Sequence, residues 1–241
     1  MTVLLLGGTG EARALSQRLT GLGVIASLAG VTRKPKPYGV PTRIGGFGGA
    51  NGFRSFLKDE GVTAVIDATH PYAAKMPQRA SAICGEMAVP YLRLLRPAWQ
   101  PQSGDQWQEV ATLADAAAIL PTDSTIFLAT GGQSADHTKA LHAHTIWLRR
   151  VDDTGPAPWP KGGVIVGLPS NDPQVEVALL QRHVITYIIA KNSGGPMGYA
   201  KLEAARTLGL PVILLSRPPV PDAPVTTSLD TAESFVRAHA S

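Results

Sequence analysis

A glycine-rich turn, Gly7-Gly8-Thr9-Gly10, directly follows a short apolar run near the start of the chain. After the turn, the apolar side chains of Ala12, Leu15 and Leu19 recur at the spacing of one helix face. Glycines between a strand and a helix let backbone N–H groups approach a phosphate at the positive end of the helix. Arg13 replaces the third glycine of the usual pattern. The turn predicts a dinucleotide site, and a plain strand-to-helix connection is the alternative.

The end of the second apolar run, Ser27-Leu28-Ala29-Gly30, contains no acidic residue. In the usual NAD-binding pattern, an acid about 20 residues after the glycine turn binds the ribose hydroxyls. Arg33 and Lys34 follow here instead, and an arginine can bind a 2′-phosphate through two parallel hydrogen bonds. The sequence therefore favours NADPH over NADH. Two solvated loop cations are the alternative.

The segment Asp67-Ala68-Thr69-His70-Pro71-Tyr72 places an acid, an imidazole and a phenol at the end of another apolar run. Ligands of open α/β sheets bind outside the carboxyl ends of the strands. His70 could donate a proton near neutral pH, or it could anchor the loop through a hydrogen bond. Asp67 follows apolar residues, where a carboxylate needs partners, so capping of neighbouring N–H groups is its expected role.

The second half offers two polar, glycine-flanked segments, Thr130-Gly131-Gly132 and Lys191-Asn192-Ser193-Gly194-Gly195. Tyr199 and Lys201 then open a helical stretch. They are two residues apart and point in different directions, unlike the tyrosine–lysine pair of short-chain dehydrogenases, which shares one helix face. Lys201 alone is a candidate to contact a ligand carboxylate, and a surface lysine is the alternative.

The charge balance favours an anionic partner, since 22 Lys and Arg against 18 Asp and Glu give a net charge of +4. Many cations follow or finish apolar runs and would converge on one ligand edge: Arg33, Arg96, Arg149, Arg150, Lys191 and Arg217. No basic stripe with aromatic platforms is present, so nucleic acid is not expected. A small molecule with several carboxylates fits this pattern better.

The elements that position these residues alternate between short strands and helices, which is typical of βαβ units in a parallel sheet. The predicted strands are residues 3–6, 24–28, 42–44, 62–68, 91–94, 107–110, 125–129, 145–150, 164–166, 186–190 and 212–215, with a last helix near 231–238. Prolines and polar residues at 96–101 suit a linker. We expect an α/β protein with two Rossmann-like domains, 1–97 and 98–241, whose mostly parallel sheets face a shared cleft.

Composition narrows the class of protein further. Cys84 is the only cysteine, and no Cys/His cluster has metal-ligand spacing, so neither a disulfide framework nor a metal site is expected. The run Val3–Leu6 is too short for a signal peptide, and no apolar run approaches the roughly 20 residues of a membrane span. We expect a soluble cytoplasmic protein without a membrane partner.

Several segments together resemble the precorrin-6A reductase family of cobalamin biosynthesis. The matching segments are residues 6–12 (LGGTGEA), 65–73 (VIDATHPYA), 90–93 (PYLR) with Arg96-Pro97, 191–195 (KNSGG) and 201–206 (KLEAAR). The second and fourth are far more specific than the glycine turn. The middle of the chain, from about Pro101 to Gly163, matches loosely, and Gly131-Gly132-Gln133 stands where the family often has Gly-Arg.

This resemblance implies hydride transfer from NADPH to one double bond of the precorrin-6A macrocycle, giving precorrin-6B, which would pass to neighbouring pathway enzymes. The polycarboxylate tetrapyrrole agrees with the cationic strand ends. The expected cofactor-binding residues are Gly7, Gly8, Thr9, Gly10, Glu11, Arg33, Lys34 and Thr69. The expected substrate-binding residues are Asp67, Arg96, Thr130, Gly131, Lys191, Asn192, Ser193, Tyr199 and Lys201. The proton donor is His70, Tyr72, Lys201 or water.

Two further hypotheses stay open at this point. One is the sister reaction on the cobalt-containing macrocycle, where NADH can serve, and Arg33 with Lys34 speaks mildly against it. The other is a non-enzymatic regulator that senses NADPH, which would not require a second glycine-rich, cation-rimmed domain.

Overall fold

A computed structural model describes residues 1–30, 36–131, 138–152 and 155–240. The chain forms two compact units. The first contains Met1–Pro97 and Pro218–Ser241, and the second contains Ala98–Arg217. This corrects the expected range 98–241 for the second domain, because the last segment returns to the first unit and completes its sheet and core.

The first unit contains six parallel strands in the part of the chain that the structure describes. Its elements are β1 (Thr2–Leu6), α1 (Gly10–Arg18), β2 (Val24–Leu28), β3 (Thr42–Ile44), α2 (Gly49–Asp59), β4 (Val62–Asp67), α3 (Lys75–Glu86), β5 (Tyr91–Leu94), β12 (Val225–Thr226) and α7 (Leu229–His239). The strand order is β12-β5-β4-β1-β2-β3. That is the 3-2-1-4-5-6 order of the doubly wound fold, with the sixth strand supplied by the C-terminal segment.

The core of the first unit explains why this segment returns. Residues 3–6 of β1 are all buried, because helices cover both faces of a parallel sheet. On one face, Ala12 and Leu15 of α1 share a buried cluster with Ala232 and Val236 of α7. The amphipathic last helix therefore buries its apolar side against the first sheet.

The second unit repeats the architecture. Its elements are β6 (Trp107–Val110), α4 (Leu113–Ile119), β7 (Thr125–Ala129), β8 (Thr145–Arg150), β9 (Gly162–Val166), α5 (Pro173–Arg182), β10 (Tyr187–Lys191), α6 (Ala200–Leu208) and β11 (Val212–Leu215). The parallel order is β6-β11-β10-β7-β8-β9. Strands β7 to β11 thus occupy the positions that β1 to β5 have in the first sheet. The sixth position is occupied by β6, which is the first strand of the second unit.

Every predicted strand overlaps an observed one, and the expected α/β class with mostly parallel sheets is confirmed. The two-residue strand β12 was not predicted, because two residues carry no readable alternation. Among the residues described, no helix combines the length and apolarity that crossing a membrane requires.

Candidate functional site

The glycine turn lies at the topological switch point of the first sheet, between β1 and β4, where doubly wound folds bind their ligands. Thr9 caps α1 by accepting a hydrogen bond from the Ala12 N–H (3.0 Å). Its hydroxyl donates to the Ala68 carbonyl at the end of β4 (2.8 Å). One side chain therefore ties the start of the helix to the neighbouring strand end.

The three glycines of the turn differ in what a side chain would meet at each position. A Cβ at Gly7 would come within 2.9 Å of both Leu28 Cδ2 and the Tyr38 hydroxyl, so this position is tightly packed. Gly8 has a φ of 125°, which side chains rarely adopt. A Cβ at Gly8 or Gly10 would meet no heavy atom within 4 Å, so open space lies beside both.

Tyr38 closes one side of the turn. Its hydroxyl accepts a hydrogen bond from the Gly8 N–H (3.0 Å). Burial raises the pKa of this phenol, while the Gly8 N–H opposes the shift. No local sequence pattern points to Tyr38, since it lies thirty residues after Gly8.

The carboxyl end of β2 carries Ser27 but no acid, as the sequence indicated. The Ser27 carbonyl accepts from the Gly7 N–H (2.9 Å), and its hydroxyl accepts from Arg43 Nη1 on β3 (2.7 Å). The two predicted 2′-phosphate ligands, Arg33 and Lys34, lie outside the described residues.

Glu11, in the first turn of α1, forms an ion pair with Arg96 beyond the end of β5 (2.7 Å). Both side chains are only partly exposed. These two residues were expected to contact the cofactor and the substrate separately. In the structure they contact each other, so Arg96 does not present an unbalanced charge at this edge.

Asp67 is fully buried at the end of β4. Its carboxylate accepts from the Thr69 N–H (2.9 Å) and from the Tyr91 hydroxyl (2.7 Å). Burial and the Asp67 charge raise the pKa of Tyr91. Arg93 on β5, the register partner of Asp67, is also buried. Both carboxylate oxygens of Asp67 thus accept hydrogen bonds from the protein itself, and its contact with substrate stays a prediction.

His70 and Tyr72 lie on the loop after β4, with ring centroids 5.9 Å apart. The His70 Nδ1 accepts a hydrogen bond from the Tyr72 N–H (3.2 Å), and the His70 carbonyl accepts from Ala73 N–H (2.7 Å). The imidazole thus anchors its own loop through Nδ1.

In the second unit, Asn192 follows β10 and is buried. Its side-chain oxygen accepts from the Trp99 N–H (2.8 Å) and its side-chain nitrogen donates to the Trp99 carbonyl (3.0 Å). The Trp99 indole N–H donates to the Gly195 carbonyl (2.7 Å). Both ends of the Asn192 amide therefore hold Trp99 in place, and its contact with substrate stays a prediction.

Lys201 is 6% exposed in the first turn of α6. Its Nζ lies 4.8 Å from the centroid of the Trp99 ring and donates to the Gly198 carbonyl. Burial lowers its pKa to about 8; Glu176 opposes this shift and Arg149 adds to it. The surface-lysine alternative is thereby ruled out, and the ammonium occupies a desolvated, aromatic-lined position.

No pattern in the sequence points to Glu176. It is buried in α5 and accepts two hydrogen bonds from Arg149 Nη1 (both 2.9 Å) and one from the Ser170 N–H (2.9 Å). Arg149 also lies 4.9 Å from the Phe127 ring centroid. This corrects the prediction that Arg149 joins an open cationic edge, since Glu176 neutralises it.

The remaining predicted residues lie at the ends of β7 and β10. Thr130 is buried, whereas Gly131 is exposed. Lys191 is half-buried, which lowers the pKa of its ammonium group. Tyr199 caps no helix N–H with its side chain; its hydroxyl accepts from Arg206 (3.2 Å) and its ring lies 5.9 Å from that of Trp99. Tyr199 therefore packs beside Trp99, and its contact with substrate stays a prediction.

The structure therefore brings the predicted residues to the carboxyl edges of two sheets. The first edge carries Gly7, Gly8, Thr9, Gly10, Glu11, Asp67, Thr69, His70, Tyr72 and Arg96, and the second carries Thr130, Gly131, Lys191, Asn192 and Ser193. Two doubly wound units, one with a glycine turn at its switch point, define the class of α/β proteins that contains dinucleotide-dependent oxidoreductases.

Comparison with known proteins identifies the family. The family model described as "Precorrin-6x reductase CbiJ/CobK" matches residues 2–238, and the chain belongs to this family. The precorrin-6A reductase of Rhodobacter capsulatus is 42% identical, covering 98% of this chain and 96% of the relative. The cobalt-precorrin-6A reductase of Methanothermobacter thermautotrophicus is 27% identical, covering 91% and 78%. A solved structure, "CobK precorrin-6A reductase", superposes with a TM-score of 0.91 at 42% identity, covering 99% of this chain and 97% of the other.

Proposed function

We propose that this protein reduces one carbon–carbon double bond of precorrin-6A with NADPH and releases precorrin-6B. The observation that carries the proposal is the glycine turn at the switch point of the first sheet, in a chain that belongs to the precorrin-6x reductase family. Such a turn has the geometry to hold a pyrophosphate, and the family supplies the reaction class.

The residues at the turn fit a dinucleotide. Space is open beside Gly8 and Gly10, and the first N–H groups of α1 have no intrahelical partner. The Thr69 hydroxyl oxygen, two residues beyond β4, is buried without a hydrogen-bond partner in the described part of the chain. A buried hydroxyl of this kind normally finds a partner, and a ligand oxygen at the switch point would provide one.

The preference for NADPH rests on charge. An acid at the end of β2 would favour a ribose hydroxyl and repel a 2′-phosphate, and Ser27 stands in that region. Arg33 and Lys34 remain the proposed phosphate ligands. When bound, NADPH supplies the hydride.

The chain's own residues would bind and orient the macrocycle and supply a proton. Lys191 and Lys201 are the candidates to bind the carboxylates of the macrocycle. The backbone groups of Thr130, Gly131 and Ser193 are further candidates for substrate contact. With a pKa near 8, Lys201 is mostly protonated at pH 7 and able to give up its proton. His70, Tyr72 and water are the other candidate donors.

The experiment is a turnover assay with purified protein, precorrin-6A and either NADPH or NADH. We expect NADPH oxidation to accompany a change in the visible spectrum of the macrocycle, with NADH a poor substitute. Replacing both Arg33 and Lys34 with alanine should weaken the binding of NADPH far more than the binding of NADH. Turnover of only the cobalt macrocycle would support the sister reaction, and NADPH binding without any turnover would support a regulator.

A further inference from the structure

Arg43 lies at the carboxyl edge of the first sheet in a position that no part of the proposed function uses. It is on β3, and its register partner on β2 is Ser27. Its Nη1 donates to the Ser27 hydroxyl (2.7 Å) and to the Gly45 carbonyl (3.1 Å), and its Nη2 donates to the Gly46 carbonyl (3.0 Å). These bonds hold the guanidinium in one orientation.

Aromatic rings hold the same group from another side. The guanidinium carbon lies 4.2 Å from the Phe47 ring centroid and 5.1 Å from that of Phe56. Stacking on an aromatic ring and forked hydrogen bonding are the two interactions that distinguish arginine from lysine. Arg43 is therefore preorganised before any ligand binds.

Arg43 lies next to the end of β2, where the ribose of a bound dinucleotide is expected. Ser27 stands at the end of β2, and its carbonyl bonds the Gly7 N–H of the glycine turn. Neighbouring strands are about 4.8 Å apart, so Arg43 lies one strand away from the position where an NAD-binding protein carries its acid.

The charge of Arg43 is not balanced by an ion pair among the described residues. Glu60 lines a shallow crevice with Arg43 but forms no ion pair with it. A guanidinium has five N–H donors, and the bonds above use three of them. The Nε–H and one Nη2–H remain for an anion.

We infer that Arg43 determines the cofactor specificity of this protein by binding the 2′-phosphate of NADPH beside Ser27. The inference rests on the proposed use of NADPH. It adds a phosphate ligand on β3 to the two expected after β2. The competing role of Arg43, called a loop brace below, is purely structural: its hydrogen bonds to the Gly45 and Gly46 carbonyls would only stabilise that loop.

The test is calorimetric binding of NADPH, NADH, 2′,5′-ADP and 5′-ADP to the wild type, Arg43→Met and Arg43→Lys. We expect Arg43→Met to lower the affinity for NADPH and for 2′,5′-ADP by about 10- to 100-fold, the usual range for losing a hydrogen bond to a charged group. NADH and 5′-ADP should change by less than about 3-fold. Arg43→Lys keeps the charge and should lose less.

Arg54→Met is the matched control, because Arg54 is an arginine on α2 that pairs with Glu86 away from Ser27. It should leave all four affinities unchanged. Equal losses of NADPH and NADH in Arg43→Met would show a loop brace and overturn the inference. If Arg43→Met does not fold, the same comparison in Arg43→Lys decides. A wild type that binds neither dinucleotide would refute the proposed function itself.

Discussion

Lys201 lies in surroundings that a charged ammonium group tolerates poorly. Its Nζ faces the Trp99 ring, and burial lowers its pKa to about 8. The Arg149–Glu176 pair lies close enough to influence that pKa in both directions. A structural lysine would gain little from this position, whereas a ligand carboxylate beside the ammonium group would raise its pKa again.

Stability should therefore depend on pH through Lys201. The unfolded chain holds this proton up to about pH 10.5 and the folded chain only to about pH 8, so folding releases a proton between these values. In that window the unfolded state binds more protons, and the free energy of unfolding of the wild type should rise with pH relative to Lys201→Met, by up to about 3 kcal/mol. Urea unfolding of both proteins at several pH values measures this, and parallel curves would contradict it.

Residue types at strand ends were readable from the sequence, but their partners were not. Asp67 was expected to cap neighbouring N–H groups, and it does so at Thr69. The Arg149–Glu176 and Arg96–Glu11 pairs join residues 27 and 85 positions apart. No local pattern encodes such pairing, so an edge of open cations was predicted where the structure neutralises two of them.

The N-terminus of α1 is the element on which the proposed binding of NADPH would depend. Gly10 is its first residue, has an ordinary φ, and faces open space. Alanine there should preserve the fold or stabilise it slightly, by up to about 1 kcal/mol. The added methyl group would occupy the path of the pyrophosphate, so NADPH affinity should fall at least about 10-fold.

Gly85→Ala is the matched control, because Gly85 lies within α3 and a Cβ there would also meet no heavy atom within 4 Å. It should show the same small effect on thermal unfolding with no change in NADPH affinity. An unchanged affinity in Gly10→Ala would mean that the turn only connects β1 to α1.

Strands and helices with clear periodicity were predictable, since burial on both faces makes the parallel strands continuous apolar runs. The exception at this scale is β12. Its two residues pair with Arg93 and Leu94 of β5, and only this distant partner makes them a strand.

At the scale of the whole molecule, the chain leaves the first unit after Pro97 and returns at Pro218. The sequence showed the linker at 96–101 but not the return, because the alternation of strands and helices continues without a break. The first sheet is thus completed by the last part of the chain, and the second sheet by its own first strand.

Removing residues 218–241 should therefore destabilise the first unit and not simply shorten the second. The truncation deletes β12 and exposes the surface that Ala232 and Val236 cover on α1 and β1. We expect loss of NADPH binding and a lower unfolding temperature in calorimetry. Unchanged NADPH affinity in the truncated protein would contradict this division of the chain.

Hydride transfer from NADPH to precorrin-6A can be followed with NADPH deuterated at nicotinamide C4. Product from each of the two C4 stereoisomers would be analysed by mass spectrometry. We predict that one stereoisomer, and not the other, gives precorrin-6B carrying a single deuterium, while deuterated water labels a second position. Product without deuterium from either stereoisomer, or no product at all, would rule out hydride transfer from NADPH to precorrin-6A.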